Sequence, residues 1–102
     1  MSEYYARHRS DSNQIEIIEF CRSIGASVQV ISMIDNFCDL CVGYMGTNYL
    51  LEVKGKKTKV TPEQKILHST WSGKIHVIRS IEDVIAVMPI RDTKLINSTK
   101  VK

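Results

Sequence analysis

Three side chains in the segment DLCVGYMGTNYLLEVK, residues 39–54, have types that could together bind a divalent cation: Asp39, Glu52 and Lys54. Carboxylate oxygens are ligands that Mg²⁺ and Mn²⁺ prefer. A lysine beside such a metal adds a point charge that stabilises an anion. The set suits hydrolysis of a phosphodiester, which needs charge neutralised on the non-bridging oxygens and a water made nucleophilic.

The flanking residues predict a β-hairpin that brings these three side chains together. Residues 38–43 and 48–54 are rich in β-forming types and surround the turn-like segment YMGT. Within that turn, Gly46 can adopt a positive φ without steric cost. We expect Gly43 to pair with Asn48 across the two strands.

In that register Asp39 lies directly opposite Glu52, and Glu52 and Lys54 share one face of the strand. Like charges on opposed residues, whose Cβ atoms are ~5 Å apart, are destabilising. A divalent metal between the carboxylates, with Lys54 beside it, would remove the repulsion. Alternatives stay open: charged residues on strands are commonly a solvated face, and a register shift of one residue would separate the acids.

Length and composition indicate one globular domain. The chain has 102 residues, of which 43% are hydrophobic and 25% charged, with a formal net charge of +3. A domain of this size has little spare stability, which favours oligomerisation. No apolar run approaches the ~18 residues of a membrane span, and the N-terminal segment MSEYYARHRS lacks the apolar region of a signal peptide. We therefore expect a cytoplasmic protein without a membrane partner.

Lysines crowd the loop that follows Glu52. Lys56, Lys57 and Lys59 lie within a few residues of Lys54. Such a run is commonly solvated surface with no further role. Next to a metal site it is also typical of a surface that follows the phosphates of a nucleic acid.

The three cysteines, Cys21, Cys38 and Cys41, cannot all pair with one another within one chain, and a cytoplasmic location favours free thiols. Cys38 and Cys41 have the spacing of zinc ligands. If both lie on one strand, however, residues three apart point to opposite faces. Burial as small hydrophobic residues is the competing interpretation.

The remaining pattern predicts the element order α–β–β–β–α–β–α. The helices are expected at about 12–24, from Pro62 towards Gly73, and from Ser80 to about Met88; the strands are expected at 28–31, 38–43, 48–54 and 75–79. A helix between the third and fourth strands implies a crossover. The expected fold class is therefore α/β, with a mixed central sheet flanked by helices.

The second helix has the clearest start. Thr61, Pro62 and Gln64 combine a threonine cap, a proline in the first turn and a glutamine that closes a capping box. Its predicted buried face consists of Ile66, Leu67, Thr70 and Trp71.

This order, with Asp39 and the sequence Glu52-Val53-Lys54, resembles the PD-(D/E)xK nuclease superfamily. Within it, the chain is similar to the small phage-type members, the virus-type replication-repair nucleases related to Holliday junction resolvases. The resemblance covers about residues 7–88. Its pieces follow in family order: DSNQIEII on the first helix, CDLCVGY and NYLLEVK on neighbouring strands, VTPEQ at the second helix, and HVIRSIEDVI near the end.

The resemblance implies a restriction-endonuclease-like core and a site for Mg²⁺ or Mn²⁺. Asp39 and Glu52 would ligate the metal, and the backbone carbonyl of Val53 would complete the protein ligands. Lys54 would position or activate the attacking water and stabilise negative charge on phosphorus.

Two further residues match the family, and one departs from it. Glu16 matches the acidic residue that the family's first helix contributes near the metal. Gln64 matches a recurring glutamine of the second helix, with a pure capping role as the alternative. Cys38 stands where the family has a proline, which shapes the backbone and binds no metal.

By the same resemblance, the chain would be a metal-dependent, structure-specific DNA endonuclease that acts on branched or junction DNA without a nucleotide cofactor. A catalytically silent DNA-binding module with the same fold is the alternative, and the intact set of Asp39, Glu52 and Lys54 argues against it. If the chain is phage-encoded, its cytoplasm is that of a bacterial host.

The predicted domain plan is a basic N-terminal arm at 1–10, a nuclease domain at 11–88 and a basic extension at 89–102. Resolving a four-way junction requires nicks in two opposed strands, and one small domain with a single site cannot reach both. A resolvase of this size should therefore be a two-fold homodimer. Tyr4, Tyr5 and residues 90–102 are candidate contacts.

Overall fold

The computed structural model describes residues 12–90. Within this range the chain forms three helices, α1 (Ser12–Ser23), α2 (Pro62–Thr70) and α3 (Ile81–Val87), and four strands, β1 (Ser27–Val30), β2 (Leu40–Tyr44), β3 (Thr47–Val53) and β4 (Ile75–Ile78). Their order along the chain is the predicted α–β–β–β–α–β–α. Within the described residues, no helix is long and apolar enough to cross a membrane.

The four strands form one mixed sheet in the order β1-β2-β3-β4. The first three strands are antiparallel neighbours, and β4 pairs parallel to β3. Because parallel neighbours cannot be joined by a tight turn, the chain crosses over through α2. The predicted mixed α/β architecture, with helices flanking the sheet, is confirmed.

The hairpin has the predicted register. Gly43 pairs with Asn48, and the pairing continues to Leu40 and Leu51. The turn has only two central residues, Met45 and Gly46, with φ values of 53° and 82°. Positive φ at both positions is the geometry of a type I′ turn, whose twist matches that of the flanking strands.

One face of the sheet carries the hydrophobic core. Helices α1 and α3 pack there, with α1 ending before Gly25, whose φ of 90° turns the chain towards β1. The core residues are Ile17, Ile18, Phe20, Cys21, Ile24, Ala26, Val28, Leu40, Val42, Leu51, Val53, Ile78, Val84, Met88 and Ile90. Because Ile90 is buried in this core, it is not free to serve as the intersubunit contact predicted for it. The other proposed contacts, Tyr4, Tyr5 and residues 91–102, lie outside the described residues.

The second face of the sheet is covered thinly, and here the sequence prediction was wrong. No residue of α2 is buried. Ile66 is 65% exposed and Trp71, just past the helix end, 41%. The reason is topological: α1 and α3 occupy the opposite face, so among residues 12–90 only α2 is left to cover this one, and nine residues are too few to do so. The apolar spacing that predicted burial instead leaves hydrophobic side chains on the surface.

The turn geometry generates a stability prediction. Met45 lies in the left-handed region, which is unfavourable for methionine and readily adopted by asparagine. Its side chain is 78% exposed, so replacing it removes little packing. Met45→Asn should therefore raise the free energy of unfolding by ~0.5–1 kcal/mol, measured by urea denaturation. Met33→Asn is the matched control, since Met33 is also exposed but does not have a positive φ. Equal effects of the two substitutions would contradict the turn assignment.

Candidate functional site

A buried carboxylate lies at the C-terminal end of β3. Glu52 is 2% exposed, on the face opposite Leu51 and Val53. Its Oε2 atom is 3.2 Å from the Lys54 Nζ and accepts a hydrogen bond of 2.8 Å from the Gln64 Nε2. The predicted placement of Glu52 and Lys54 on the same side is confirmed by this contact.

The second oxygen of Glu52 is buried and differs from the first. Within residues 12–90, the Oε1 atom has no hydrogen-bond partner. Leaving an anionic oxygen buried and unsatisfied is costly, because the group has lost its water without gaining a replacement. This oxygen therefore has the capacity to bind a cation or a hydrogen-bond donor that enters the site.

Asp39 lies one residue before β2, where the regular strand pairing ends. Its N–H donates to the Leu51 carbonyl at 3.0 Å, and its carboxylate Oδ2 accepts the Val53 N–H at 2.8 Å. The side chain thus takes a position that a backbone carbonyl would hold in a continued ladder. Asp39 and Glu52 are neighbours at the same end of the hairpin, but the ladder stops before it would pair them directly.

The Val53 carbonyl, predicted as a metal ligand, faces the same side as Asp39. A strand residue that donates its N–H to one neighbour also points its carbonyl to that neighbour. Because the Val53 N–H donates to Asp39, its carbonyl lies along the same edge.

Lys54 is held through its backbone as well as through its side chain. Its N–H donates to the Ile78 carbonyl at 3.0 Å, and its own carbonyl accepts from the Asn13 Nδ2 at 2.8 Å. The side chain is only 12% exposed. These contacts fix the lysine between β4, α1 and Glu52.

Gln64 forms the predicted capping box and also contacts Glu52, while its role in a reaction stays a prediction. Its side-chain Oε1 accepts the Thr61 N–H at 3.1 Å, while its own N–H donates to the Thr61 hydroxyl at 3.2 Å, which completes a capping box. The remaining Nε2 group donates to Glu52. One amide therefore starts α2 and joins it to the site.

Glu16 does not contact the cluster formed by Glu52, Lys54 and Gln64. It is exposed on α1 and forms no hydrogen bond or ion pair with any of residues 12–90. The contact between α1 and the site is made by Asn13, which donates to the carbonyls of Lys54 and Arg79 at 2.8 and 3.2 Å. Asn13 was missed because an asparagine in the first turn of a helix reads as a local capping residue.

Cys38 forms part of the wall around the carboxylates. It is 3% exposed. Burial, and then the nearby charges of Glu52, Asp39 and Cys41, raise the pKa of its thiol to about 12. The thiol is therefore protonated at neutral pH, whereas a zinc ligand must be a thiolate.

The cysteine pair does not form a zinc site with other residues. The predicted alternation argument does not apply, because β2 begins at Leu40 and leaves Cys38 outside it. Among residues 12–90, no group of three or more His, Cys, Asp or Glu side chains is arranged to hold a metal ion. All three cysteines are free thiols.

The lysine loop is organised by a residue that sequence reasoning missed. The Arg79 guanidinium donates to the backbone carbonyls of Gly55 and Thr58. The backbone N–H of Arg79 donates to the Asp83 carboxylate at 2.7 Å. The loop's three predicted DNA-binding side chains, Lys56, Lys57 and Lys59, are all exposed. No local pattern reveals this role, since the loop carbonyls lie more than twenty residues away in sequence.

Comparisons with protein-family models, with characterised proteins and with solved structures found no match. The residues around Glu52 and the motif resemblance therefore carry the inference about function.

The contact between Asp39 and Val53 generates a prediction. Asp39→Ala leaves the Val53 N–H without its acceptor, in a residue that is buried, and should lower the free energy of unfolding by ~1–3 kcal/mol. Asp39→Asn keeps an oxygen acceptor and should lower it by less than ~1 kcal/mol. Urea denaturation of both variants measures the difference. An equal loss of stability in the two variants would show that the hydrogen bond from the Val53 N–H to Asp39 does not stabilise the fold.

Thiol accessibility provides a second test. Cys21 and Cys38 are buried, and burial raises the pKa of Cys21 to about 11 and that of Cys38 to about 12. Cys41 is partly exposed. At neutral pH a small thiol reagent should label Cys41 first, with Cys21 and Cys38 reacting only after denaturant is added. Mass spectrometry of peptides identifies the labelled residues. Rapid labelling of Cys38 without denaturant would contradict its burial beside the carboxylates.

Proposed function

We propose that this chain is a metal-dependent DNA endonuclease with a restriction-endonuclease-like core. The single observation that carries the proposal is the state of Glu52. One oxygen of this buried carboxylate is held by Lys54 and Gln64, the other has no partner within residues 12–90, and Asp39 lies alongside. A purely structural ion pair has no need of a buried, unsatisfied oxygen.

The donor set fits Mg²⁺ or Mn²⁺. The free oxygen of Glu52, the carboxylate of Asp39 and the carbonyl of Val53 would hold the ion, with water in the remaining positions. When bound, such an ion makes a water more acidic and neutralises charge on a phosphate. Hard oxygen donors of this kind favour these metals over zinc.

Lys54 would act on the phosphate. Its ammonium carries three donors, of which one points to Glu52. Because its backbone is bonded to β4 and α1, the ammonium has a defined position from which to donate to a non-bridging oxygen of the scissile phosphate. It would also orient the attacking water, since a positioned donor lowers the barrier without reorganisation.

Gln64 would act as a positioning residue. Its amide fixes the Oε2 atom of Glu52 and so orients the Oε1 atom towards the metal position. The outer partner of a metal-bound carboxylate has this role in many metal sites.

The exposed lysines would bind the DNA backbone. Arg79 draws the carbonyls of the loop inwards, so the side chains of Lys56, Lys57 and Lys59 extend into solvent. Positive charges beside a metal site attract phosphates and give affinity that depends on salt.

Junction resolution, the narrower reading of this activity, would need two copies of the site. A homodimer that presents both sites to opposed strands meets this requirement. Its contacts would come from segments outside residues 12–90 or from the thinly covered face of the sheet.

A second candidate, a silent DNA-binding module, has an observation in its favour. Glu52 is already paired with Lys54, and Glu16 lies exposed without joining the cluster. In a silent module the ion pair between Glu52 and Lys54 would be permanent, and divalent metals would not change the melting temperature of the protein.

Substitution of the cluster tests the enzyme against the module. Glu52→Gln, Asp39→Asn and Lys54→Ala should each lower Mn²⁺- or Mg²⁺-dependent cleavage of branched DNA by at least ~100-fold. Glu63→Gln and Glu82→Gln are matched controls, because these residues are exposed on α2 and α3 and neither contacts the cluster. Mn²⁺ should also raise the melting temperature of the wild type and have no such effect on Glu52→Gln.

Stability must be separated from activity in these variants. Glu52→Gln leaves the ammonium of Lys54 buried without its counter-charge, which is destabilising in its own right. The double variant Glu52→Gln with Lys54→Met removes both charges and should fold while remaining inactive. Cleavage by this double variant at the wild-type rate would overturn the site. If the wild type does not cleave DNA and Mn²⁺ does not change its melting temperature, the silent module is favoured.

A further inference from the structure

Trp71 forms an exposed aromatic surface with Phe37 beside the candidate site. The ring centroids are 5.1 Å apart and the planes are tilted by 53°. The contact leaves Trp71 41% exposed and Phe37 partly exposed. Adjacent exposed apolar side chains, unlike a single one, can mark an interaction site.

Several contacts hold this pair in place. The backbone N–H of Trp71 donates to the Leu67 carbonyl at 2.9 Å, and the His68 Nε2–H donates to the Phe37 carbonyl at 3.3 Å. A Cβ atom at Gly73 would lie 3.0 Å from the indole Nε1, so the backbone there approaches the ring edge closely. A ring fixed in this way can stack on a ligand without a further loss of conformational freedom.

Both rings are tied to the carboxylate cluster. Trp71 follows Gln64 by seven residues, which places it two turns along the same side of α2 and ~10 Å farther along the helix axis. Phe37 precedes Asp39 by two residues. One face of α2 and the short segment from Phe37 to Asp39 thus connect the aromatic surface to the predicted position of a scissile phosphate.

The flat faces of two partly exposed rings match a nucleobase. Every base has a π face that can stack on an aromatic side chain. Polar groups continue from it: Ser72 and Lys74 are exposed after Trp71, and Lys65 is exposed on the preceding turns. Glu63, near the start of α2, is the acidic residue of this helix. Exposed lysines close to Trp71 in sequence add positive charge that attracts the phosphates of a nucleic acid.

We infer that Trp71 and Phe37 form a stacking platform for an unpaired nucleobase of the DNA, a few nucleotides from the bond that is cut. The inference rests on the proposed nuclease function and adds a substrate class to it. Bases inside a duplex have both faces covered by their neighbours, so only a base in a single strand, a flap or a branch point can reach the platform.

Trp71 is the only tryptophan of the chain, so its fluorescence reports on the platform directly. Metal-free protein, which cannot cleave, is titrated with a single-stranded oligothymidylate and with a duplex whose two ends are closed by hexaethylene glycol linkers, which carry no base. We expect strong quenching by the single strand and little by the duplex. A splayed-arm substrate should quench as the single strand does.

Variants measure the contribution of each ring by anisotropy of a labelled oligothymidylate. Trp71→Ala and Phe37→Ala should weaken binding of the single strand by about 5- to 100-fold, the range for loss of stacking on one base. Trp71→Phe should stay within about threefold of the wild type, since a smaller aromatic ring still stacks. Ile66→Ala is the control and should have no effect, because Ile66 is exposed on the other side of α2. Circular dichroism verifies that each variant is folded. Trp71→Leu or Phe37→Leu, each of which keeps apolar volume without an aromatic ring, replaces an alanine variant that is not folded.

Three outcomes would overturn the inference. These are equal quenching by duplex and single strand, unchanged binding in Trp71→Ala, or tryptophan emission that depends on protein concentration without DNA, which would indicate a second copy of the chain on this surface. Cleavage of flaps with Mn²⁺ keeps the two proposals distinguishable. If wild type and Trp71→Ala cleave flaps equally, the platform is excluded and the nuclease stands. If no metal supports cleavage but binding depends on Trp71, the nuclease is excluded and the platform stands as part of a DNA-binding module.

Discussion

The burial of the Glu52 carboxylate is the constraint on which this half of the molecule depends. A charge in that position cannot be left without partners, and two elements supply them: Lys54 from the end of the same strand and Gln64 from the first turn of α2. The glutamine also closes the capping box with Thr61. The start of the crossover helix is therefore positioned by the same group that orients the acidic site.

The sheet is unequally covered because the chain is short. With 102 residues it can form one full hydrophobic layer, and α1 and α3 use it on the core face. Among residues 12–90, the other face has only α2 beside it, and this helix buries none of its residues. Trp71 therefore stays on the surface, whereas Glu52 is buried by its own partners and is 2% exposed.

Side-chain bonds to backbone carbonyls hold the periphery of the site together. Asn13 joins α1 to the residues just past β3 and β4, and Arg79 binds the carbonyls of the lysine loop. These bonds satisfy carbonyls that the ending strands would otherwise leave open. They also let four lysines at 54–59 lie close together, since the loop backbone is organised by a guanidinium and not by the lysines themselves.

Local patterns in the sequence determined the elements and much of their pairing. The hairpin register followed from Gly43, Asn48 and the glycine turn, because side-chain alternation and turn geometry leave few alternatives. The capping signal at Thr61 and Gln64 identified the start of α2, since a cap acts within one turn. Residues that predicted the acidic cluster were likewise close in sequence or paired by that hairpin.

Tertiary structure alone decided what depends on distant contacts. The helical spacing of Ile66 and Trp71 could not reveal that both side chains stay exposed, because their burial depends on which face of the sheet the other helices pack against. Asp39 ends the ladder with its side chain instead of lying opposite Glu52, since the local bend of the chain at that point is not encoded in strand periodicity. Asn13, Cys38 and Arg79 entered the site through partners far along the chain or through burial. Sequence determined which groups could do chemistry, and packing decided which of them share one site and which stay exposed.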